Sequence, residues 1–284
     1  MAKVVNCSKS NELKSEFKLG VIGCPIKHSV SPVIHRQFSQ QFNHQIDYQK
    51  YLVEPENLTS FVSTFFTNSE TQNLVKGLNV TLPHKQLVID SLERLTEEAS
   101  LCQSVNTIFV DQNGKLTGDT TDGRGLLYDL EQLDFAVSGK NILVVGAGGA
   151  SQSILVALLK AGASIQLLNR TQDKAEILVE RFSHLGKIAT FSASAFGGSL
   201  KLDGVISSIS EFNGPLMSSI TSCIDSQTYF YDLNYGERAE SFRQFALANQ
   251  CERFADGLGM LIGQAAFSYQ IWTGSLPDVN SVKL

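Results

Sequence analysis

The stretch NILVVGAGGASQSILVALLKAGASIQLLNR, residues 141–170, decides the fold. NILVV has the apolar character of a buried strand. Gly146, Ala147, Gly148, Gly149, Ala150 and Ser151 form a run of small residues, and SQSILVALLK then reads as a helix. A glycine-bearing loop leads to SIQLL, a second strand. Strand, glycine turn, helix and strand make the βαβ unit that opens a doubly wound nucleotide-binding sheet. Small residues let bare backbone approach a pyrophosphate. The helix start supplies N–H donors and the positive end of its dipole. Ser151 occupies the place of the third glycine in GxGxxG.

The end of the second strand selects the cofactor. Enzymes that use NAD place an acid about 20 residues past the glycines, on the ribose 2′-hydroxyl. Here Asn169 holds that place, followed by Arg170 and Thr171. A carboxylate would repel a 2′-phosphate, whereas a guanidinium accepts it in a two-pronged hydrogen bond. NADP is therefore the expected cofactor. Lys174, one helical turn further on, is a second candidate for the same phosphate.

Working outward, KLGVIG (18–23) and IDYQKYLV (46–53) read as strands, separated by a loop and a helix. Ser31-Pro32 looks like that helix's start, with Ser31 as N-cap and Pro32 at the first helical position. Ile34, Phe38 and Phe42 recur at helical spacing. LTSFVSTFF (58–66) has a helical pattern, VKGLNVTLP contains a short strand, and Pro83 opens a helix expected to run through HKQLVIDSLERL. SVNTIFV is a strand followed by a turn at Asp111–Gly114. Alternating strands and helices in this half suggest parallel pairing. After the central βαβ unit come strands in LDGVISSI and QTYFYDLNY, a helix in AESFRQFALANQ, and a strongly apolar helix ending at Gly274. The expected plan is α/β with two domains. Residues 1–121, completed by 256–284, would form a substrate domain, and 122–255 a Rossmann-like cofactor domain.

Composition narrows the function. The 284 residues carry a net charge of −5 and no Lys/Arg cluster, which argues against nucleic acid. No apolar run approaches the roughly 20 residues of a membrane span. The polar N-terminus, NCSKSNELKSE over residues 6–16, lacks a signal-peptide apolar region and reads as a ragged extension. The five cysteines (Cys7, Cys24, Cys102, Cys223 and Cys251) include no CxxC, and the five histidines no HExxH. Neither a disulfide framework nor a metal site is expected. A cytoplasmic protein, monomer or homodimer, acting on a small molecule fits these features.

Polar residues crowd at strand ends and helix starts: Ser29, Ser31, Asn79, Thr81, Lys85, Asn106, Thr121 and Asp122. Gln264 sits in the apolar C-terminal helix. Neutral hydroxyls and amides in such number suit a polyhydroxylated ligand, each of whose OH groups needs a partner once it leaves water. Taken singly, each has a plainer reading as a cap, a turn residue or a solvated side chain.

The motifs GVIGCPIKHSVSPVIH, GLNVTLPHK, SVNT, GDTTDGRG, GAGGAS, NRT and DGLGMLIGQAAFSYQIW lie between residues 18 and 279. In order and spacing they resemble the shikimate dehydrogenase family. The resemblance implies NADPH-dependent reduction of 3-dehydroshikimate to shikimate, on the route to chorismate and the aromatic amino acids. It implies that Ser29 and Ser31 hold the substrate carboxylate, with Tyr235 close by. Asn79, Thr81, Asn106 and Gln264 would meet ring hydroxyls, Lys85 and Asp122 would form the catalytic pair, and Leu233 and Gly257 would border the cofactor. A cation in the first helical turn after Pro83 faces the positive end of the dipole, and Asp122 can orient it.

Some positions depart from the family pattern. Thr120 precedes Thr121-Asp122-Gly123 where Asn is common. Gln152 replaces a frequent Arg, Ser207-Ser208-Ile209-Ser210 a usual Asn-Ala-Thr-Ser, Leu233 a frequent Met, and Glu240 a common Thr. Those at 152, 207–210 and 233 surround the cofactor. Rival readings are a quinate/shikimate dehydrogenase with wider substrate or cofactor use, a catalytically silent metabolite sensor of the same fold, and a folate-type dehydrogenase of similar plan. Arg170 speaks against NAD, intact Lys85 and Asp122 against the sensor, and the serine pair with NVTLPHK against the folate type.

Overall fold

A computed structural model describes residues 17–68, 74–192 and 201–284. The N-terminal extension, Cys7 included, lies outside them. In chain order the elements are β1 (Phe17–Gly23), α1 (Ser31–Phe42), β2 (Ile46–Leu52), α2 (Leu58–Thr67), β3 (Val75–Val80), α3 (His84–Leu87), β4 (Arg94–Leu95), α4 (Glu97–Cys102), β5 (Thr107–Val110) and β6 (Leu116–Asp119). The second half follows with α5 (Asp122–Gln132), β7 (Asn141–Val145), α6 (Gly149–Lys160), β8 (Ser164–Leu168), α7 (Gln172–Phe182), β9 (Ile188–Thr190), β10 (Gly204–Ser207), α8 (Gly214–Ser218), β11 (Tyr229–Asp232), α9 (Glu240–Ala248), β12 (Phe254–Ala255) and α10 (Leu258–Thr273).

The strands form two six-stranded sheets, ordered β2-β1-β3-β5-β6-β4 and β12-β11-β10-β7-β8-β9. Every pairing in the second sheet is parallel. Counted from β7, its order is the doubly wound 3-2-1-4-5-6 arrangement. Ile142, Val144, Ile154, Leu158, Ile165 and Leu167 pack between the central strands and helices. The direction of winding reverses between β7 and β10, so the crevice where such sheets bind ligands opens at their carboxyl ends.

The first sheet departs from the parallel expectation. β1 pairs parallel with β2 and β3, but β3–β5 and β5–β6 are antiparallel. The tight turn at Asp111–Gly114 accounts for the β5–β6 pairing. The Asp111 carboxylate accepts from the backbone N–H of Asn113 at 2.8 Å and of Lys115 at 2.9 Å, and Gly114 adopts φ +75°. So short a connection can only make a hairpin.

Two further expectations are corrected. The helix after Pro83 lasts one turn and gives way to a 3-10 turn at Val88–Ser91. The Lys85 carbonyl, which a continuing helix would bond, accepts instead from Val105 N–H at 2.8 Å. At α1, Val30 is the N-cap and Ser31 the first helical residue, without a side-chain cap. The Ser31 N–H donates to Ser29 Oγ at 3.3 Å.

Helices α5 and α10 run from one sheet to the other. A Cβ on Gly125 would lie 2.6 Å from the Gln264 nitrogen, and one on Gly263 would lie 3.2 Å from the Gly125 carbonyl oxygen. Bare backbone at this crossing brings α10 alongside the start of α5, where Thr121 and Asp122 stand. Ala265, Ala266 and Tyr269 bury the other face of α10 against Ile34 and Phe38 of α1. Among the described residues no helix is long and apolar enough to cross a membrane.

Candidate active site

A cavity of about 420 Å³ opens between the two sheets. Ser29, Ser31, Asn79, Thr81, Lys85, Asn106, Asp122, Tyr235 and Gln264 all line it, although they come from six separate stretches of chain. Parallel β1 and β3 end side by side and set the loop of Ser29 next to Asn79 and Thr81. The one-turn helix α3 then carries Lys85 to the cavity floor.

Lys85 Nζ donates to Asp122 Oδ2 at 2.6 Å. Asp122 is almost fully buried, whereas Lys85 keeps 17% of its side chain exposed, on the cavity side. The other Asp122 oxygen accepts from Asn106 Nδ2 at 2.8 Å. The carboxylate is thus held from two sides, and it holds the ammonium in place.

Behind this pair runs a buried amide and hydroxyl network. Asn106 Oδ1 accepts from the Thr121 N–H at 2.9 Å and from Thr107 Oγ1 at 2.8 Å. Asn79 Nδ2 donates to Ser268 Oγ at 3.0 Å, while its oxygen accepts from Tyr48 OH at 2.8 Å. Asn106 Nδ2 also lies 3.2 Å from Gln264 Oε1. These side chains are locked before a ligand arrives, so little ordering entropy is lost on binding.

Thr121 is the exception among the predicted substrate residues. It is fully buried and does not line the cavity. Its hydroxyl donates to the Gln264 carbonyl at 2.9 Å and lies 3.2 Å from Ser268 Oγ, so it supports the network from behind. Residues that the sequence reading missed are Tyr48, Thr107 and Ser268 in the network, and His28, Met260 and Arg238 in the lining. Ser268 had a usable signal, since it lies four residues past Gln264 on the same helix face. Thr107 lay inside the quoted SVNT. Tyr48 carried none, being one aromatic in an ordinary strand.

The second part of the site is the glycine loop. Gly146 takes φ +113°, and a Cβ there would lie 2.4 Å from Ser208 Oγ. Next to Gly148 and Gly149 a Cβ would meet nothing within 4 Å, so open space lies in front of the loop. The Gly148 N–H donates to Ser151 Oγ at 3.0 Å, and Ser151 Oγ meets Ser208 Oγ at 2.6 Å. Serines at 151 and 208 thereby tie the loop across the β7/β10 switch point. Gln152 is buried and accepts from Arg181 at 2.8 Å, which turns it away from the crevice.

Residues 169–171 stand beside that loop, because the Gly146 N–H donates to the Leu168 carbonyl at 2.8 Å. Asn169 Nδ2 closes the turn onto the Thr171 carbonyl at 2.8 Å. Arg170, Thr171 and Lys174 are exposed at the start of α7. A free helix start, open glycines and an exposed guanidinium with no acid at 169 fit a dinucleotide phosphorylated on its ribose.

The two parts meet at Leu233 and Gly257, which line the cavity alongside the substrate candidates. The Gly257 N–H donates to the Asn234 carbonyl at 2.9 Å, and a Cβ on Gly257 would come within 2.2 Å of the Leu233 oxygen. Beneath them Asp232 is buried, and desolvation drives its carboxyl up to about 6 despite hydrogen bonds from Asn234 and Ser207. Among the described residues no group of three or more His, Cys, Asp or Glu side chains gathers as a metal site.

Comparison with known proteins agrees with this geometry. Family models described as the shikimate dehydrogenase substrate binding domain, shikimate/quinate 5-dehydrogenase and the shikimate 5′-dehydrogenase C-terminal domain match residues 21–108, 129–217 and 257–283. A Shewanella woodyi protein named shikimate dehydrogenase (NADP(+)) is 37% identical over 265 residues, covering 93% of this chain and 94% of its own. The solved shikimate dehydrogenase of Aquifex aeolicus superposes with a TM-score of 0.78 at 30% identity, covering 93% of this chain and 95% of its own. That of Thermus thermophilus, solved with NADP(H) and shikimate, gives 0.77 at 26% identity, covering 93% and 96%. With sequence, fold and cavity in agreement, the chain belongs to the shikimate dehydrogenase family.

Proposed function

We propose that this chain catalyses the reversible, NADP-dependent interconversion of 3-dehydroshikimate and shikimate. The observation that carries the reading is the Lys85–Asp122 pair, 2.6 Å apart, on the floor of a cavity ringed by neutral hydrogen-bonding groups. Ser29 and Ser31 seat the substrate carboxylate near Tyr235. Asn79, Thr81, Asn106 and Gln264 take the ring hydroxyls.

In the reducing direction the Lys85 ammonium donates a proton to the carbonyl oxygen as it becomes the alcohol. In the oxidising direction that proton returns from the hydroxyl to Nζ. Asp122 orients Nζ and balances its charge in both directions. NADP, when bound, supplies or accepts the hydride. Gly146 to Ser151 would cradle its pyrophosphate, Asn169 to Thr171 and Lys174 would hold the 2′-phosphate end, and Leu233 and Gly257 would border the cofactor beside the substrate cavity. The cavity's apolar members, Val21, Ile26, Val80 and Met260, limit the water that reaches the reacting carbon.

We place the substrate domain at 1–121 completed by 256–284, and the cofactor domain at 122–255. The chain crosses between them twice, a geometry suited to a cleft that opens and closes. Free thiols at Cys24, Cys102, Cys223 and Cys251 support a cytoplasmic setting.

A spectrophotometric assay of purified protein tests the function, with shikimate and NADP⁺ together and with NAD⁺ and quinate in parallel. Rapid NADPH formation from shikimate is the expected result. Equal use of quinate would move the assignment to a broader quinate/shikimate dehydrogenase.

A further inference from the structure

The acidic and basic side chains lining the cavity, beside the phenol of Tyr235, are His28, Lys85, Asp122 and Arg238. Lys85 and Asp122 neutralise one another. The carboxylate expected at Ser29 and Ser31 therefore enters a cavity whose built pair carries no net charge. Serine hydroxyls can bond a carboxylate, but they cannot balance its charge. The protein around it is itself anionic.

Arg238 is placed to supply the missing cation. It lies in the 3-10 turn Gly236–Ala239, three residues past Tyr235. Tyr235 is the extended residue that leads into the turn, and its side chain and that of Arg238 both line the cavity. The turn is pinned at both ends. The Gly236 N–H donates to Asp256 Oδ2 at 3.0 Å, and Ala239 is buried. The Arg238 side chain is exposed and, among the described residues, forms no ion pair or hydrogen bond. It approaches from the cofactor-side sheet, whereas the serines belong to the substrate-side sheet. His28 also borders the cavity, but it sits on the serine loop itself, whereas Arg238 comes from the other side, and only a guanidinium offers a planar fork that matches both carboxylate oxygens.

Resting on the shikimate reading above, we propose that Arg238 captures the substrate carboxylate across the cleft and makes the site selective for anionic over neutral ring polyols. The contact joins the two sides of the cleft, so the substrate's own charge helps to draw them together.

The test compares the parent with Arg238→Gln and Arg238→Lys under one set of buffer conditions. Substrates are shikimate and its neutral methyl ester. Arg238→Gln should raise the KM for shikimate by about 3- to 30-fold, the range between an exposed ion pair and a charged hydrogen bond. The KM for NADP⁺ and saturating turnover should stay within about twofold. The methyl ester should not distinguish parent from variant, Arg238→Lys should recover most of the loss, and high salt should shrink it. An unchanged shikimate KM would overturn the inference, as would equal loss with the methyl ester, or a loss that falls on NADP⁺ instead. In each of those cases a parent that still oxidises shikimate leaves the functional reading standing. A parent unable to oxidise shikimate overturns both.

Discussion

Replacing Lys85 with alanine separates proton transfer from binding. Lys85 Nζ sits 2.6 Å from Asp122 Oδ2 and borders the cavity. A positioned acid or base is worth about 10²- to 10⁴-fold in rate, or roughly 3–5.5 kcal/mol at 1.36 kcal/mol per decade. Turnover should fall by that factor, while the KM for shikimate moves less than about fivefold, because the lost interaction belongs mainly to the transition state. Stability also suffers. Orphaning one member of a buried ion pair costs about 3–5 kcal/mol. Asp122, however, keeps its 2.8 Å bond from Asn106, and water can enter the vacated space. The expected loss is therefore about 1–3 kcal/mol, a drop in Tm of about 2–10 °C. Steady-state kinetics below the variant's melting range separates the two effects. Lys85→Gln retains a hydrogen-bond donor without a transferable proton and should be nearly as slow. Asp122→Asn should lose turnover too, and the double variant should be far less than multiplicatively impaired, since the pair acts as a unit. A variant with normal turnover and a raised KM would refute the reasoning. The proton would then pass through Asp122, Tyr235 or water, with Lys85 only binding.

Other expectations follow from the same geometry. Arg170→Ala should raise the KM for NADP⁺ by about 10- to 150-fold and leave that for NAD⁺ nearly unchanged, and equal effects would remove Arg170 from the 2′-phosphate. Ser29→Ala and Ser31→Ala should each weaken shikimate binding but not NADP⁺ binding, as read by titration calorimetry. Because Ser31 makes no cap bond, its variant should melt within about 2 °C of the parent, whereas a lost cap would cost about 0.5–2 kcal/mol. His35 is fully buried and stacked on Tyr48 at 4.4 Å, and desolvation drives its imidazole down from 6.5 to about 3. The folded state keeps the ring neutral while the unfolded chain takes up a proton. This stabilisation is complete above about pH 6.5 and is lost as pH falls towards 3, by about 3 kcal/mol at pH 4. Urea unfolding at pH 7 and pH 4 should show His35→Phe losing less stability between the two than the parent, and identical losses would contradict the assignment.

The parts of the fold legible in the sequence are those written in local pattern. The glycine turn between an apolar strand and an apolar helix specifies the second sheet, and the absence of an acid at Asn169, with Arg170 next to it, points to NADP. The first sheet was harder, because periodicity gives a strand's existence but not its direction. Between β5 and β6 that direction depends on the hairpin at Asp111–Gly114. The shortened helix after Pro83 was hidden for a similar reason, since the group that ends it, the Val105 N–H, lies 20 residues downstream of Lys85. At the site, the residues that line the cavity were readable as polar groups at element ends and through the family motifs. Tyr48 and Arg238 were not, because nothing in their own neighbourhoods marks them until two distant stretches meet.

The most direct test of the central claim follows the hydrogen itself. Shikimate carrying deuterium at C3 is incubated with purified protein and NADP⁺, and both products are weighed by mass spectrometry. The account predicts that the deuterium appears in the reduced cofactor and that the ring product is unlabelled 3-dehydroshikimate. Deuterium retained on the ring product, or no reduced cofactor under conditions where shikimate binds, would contradict it.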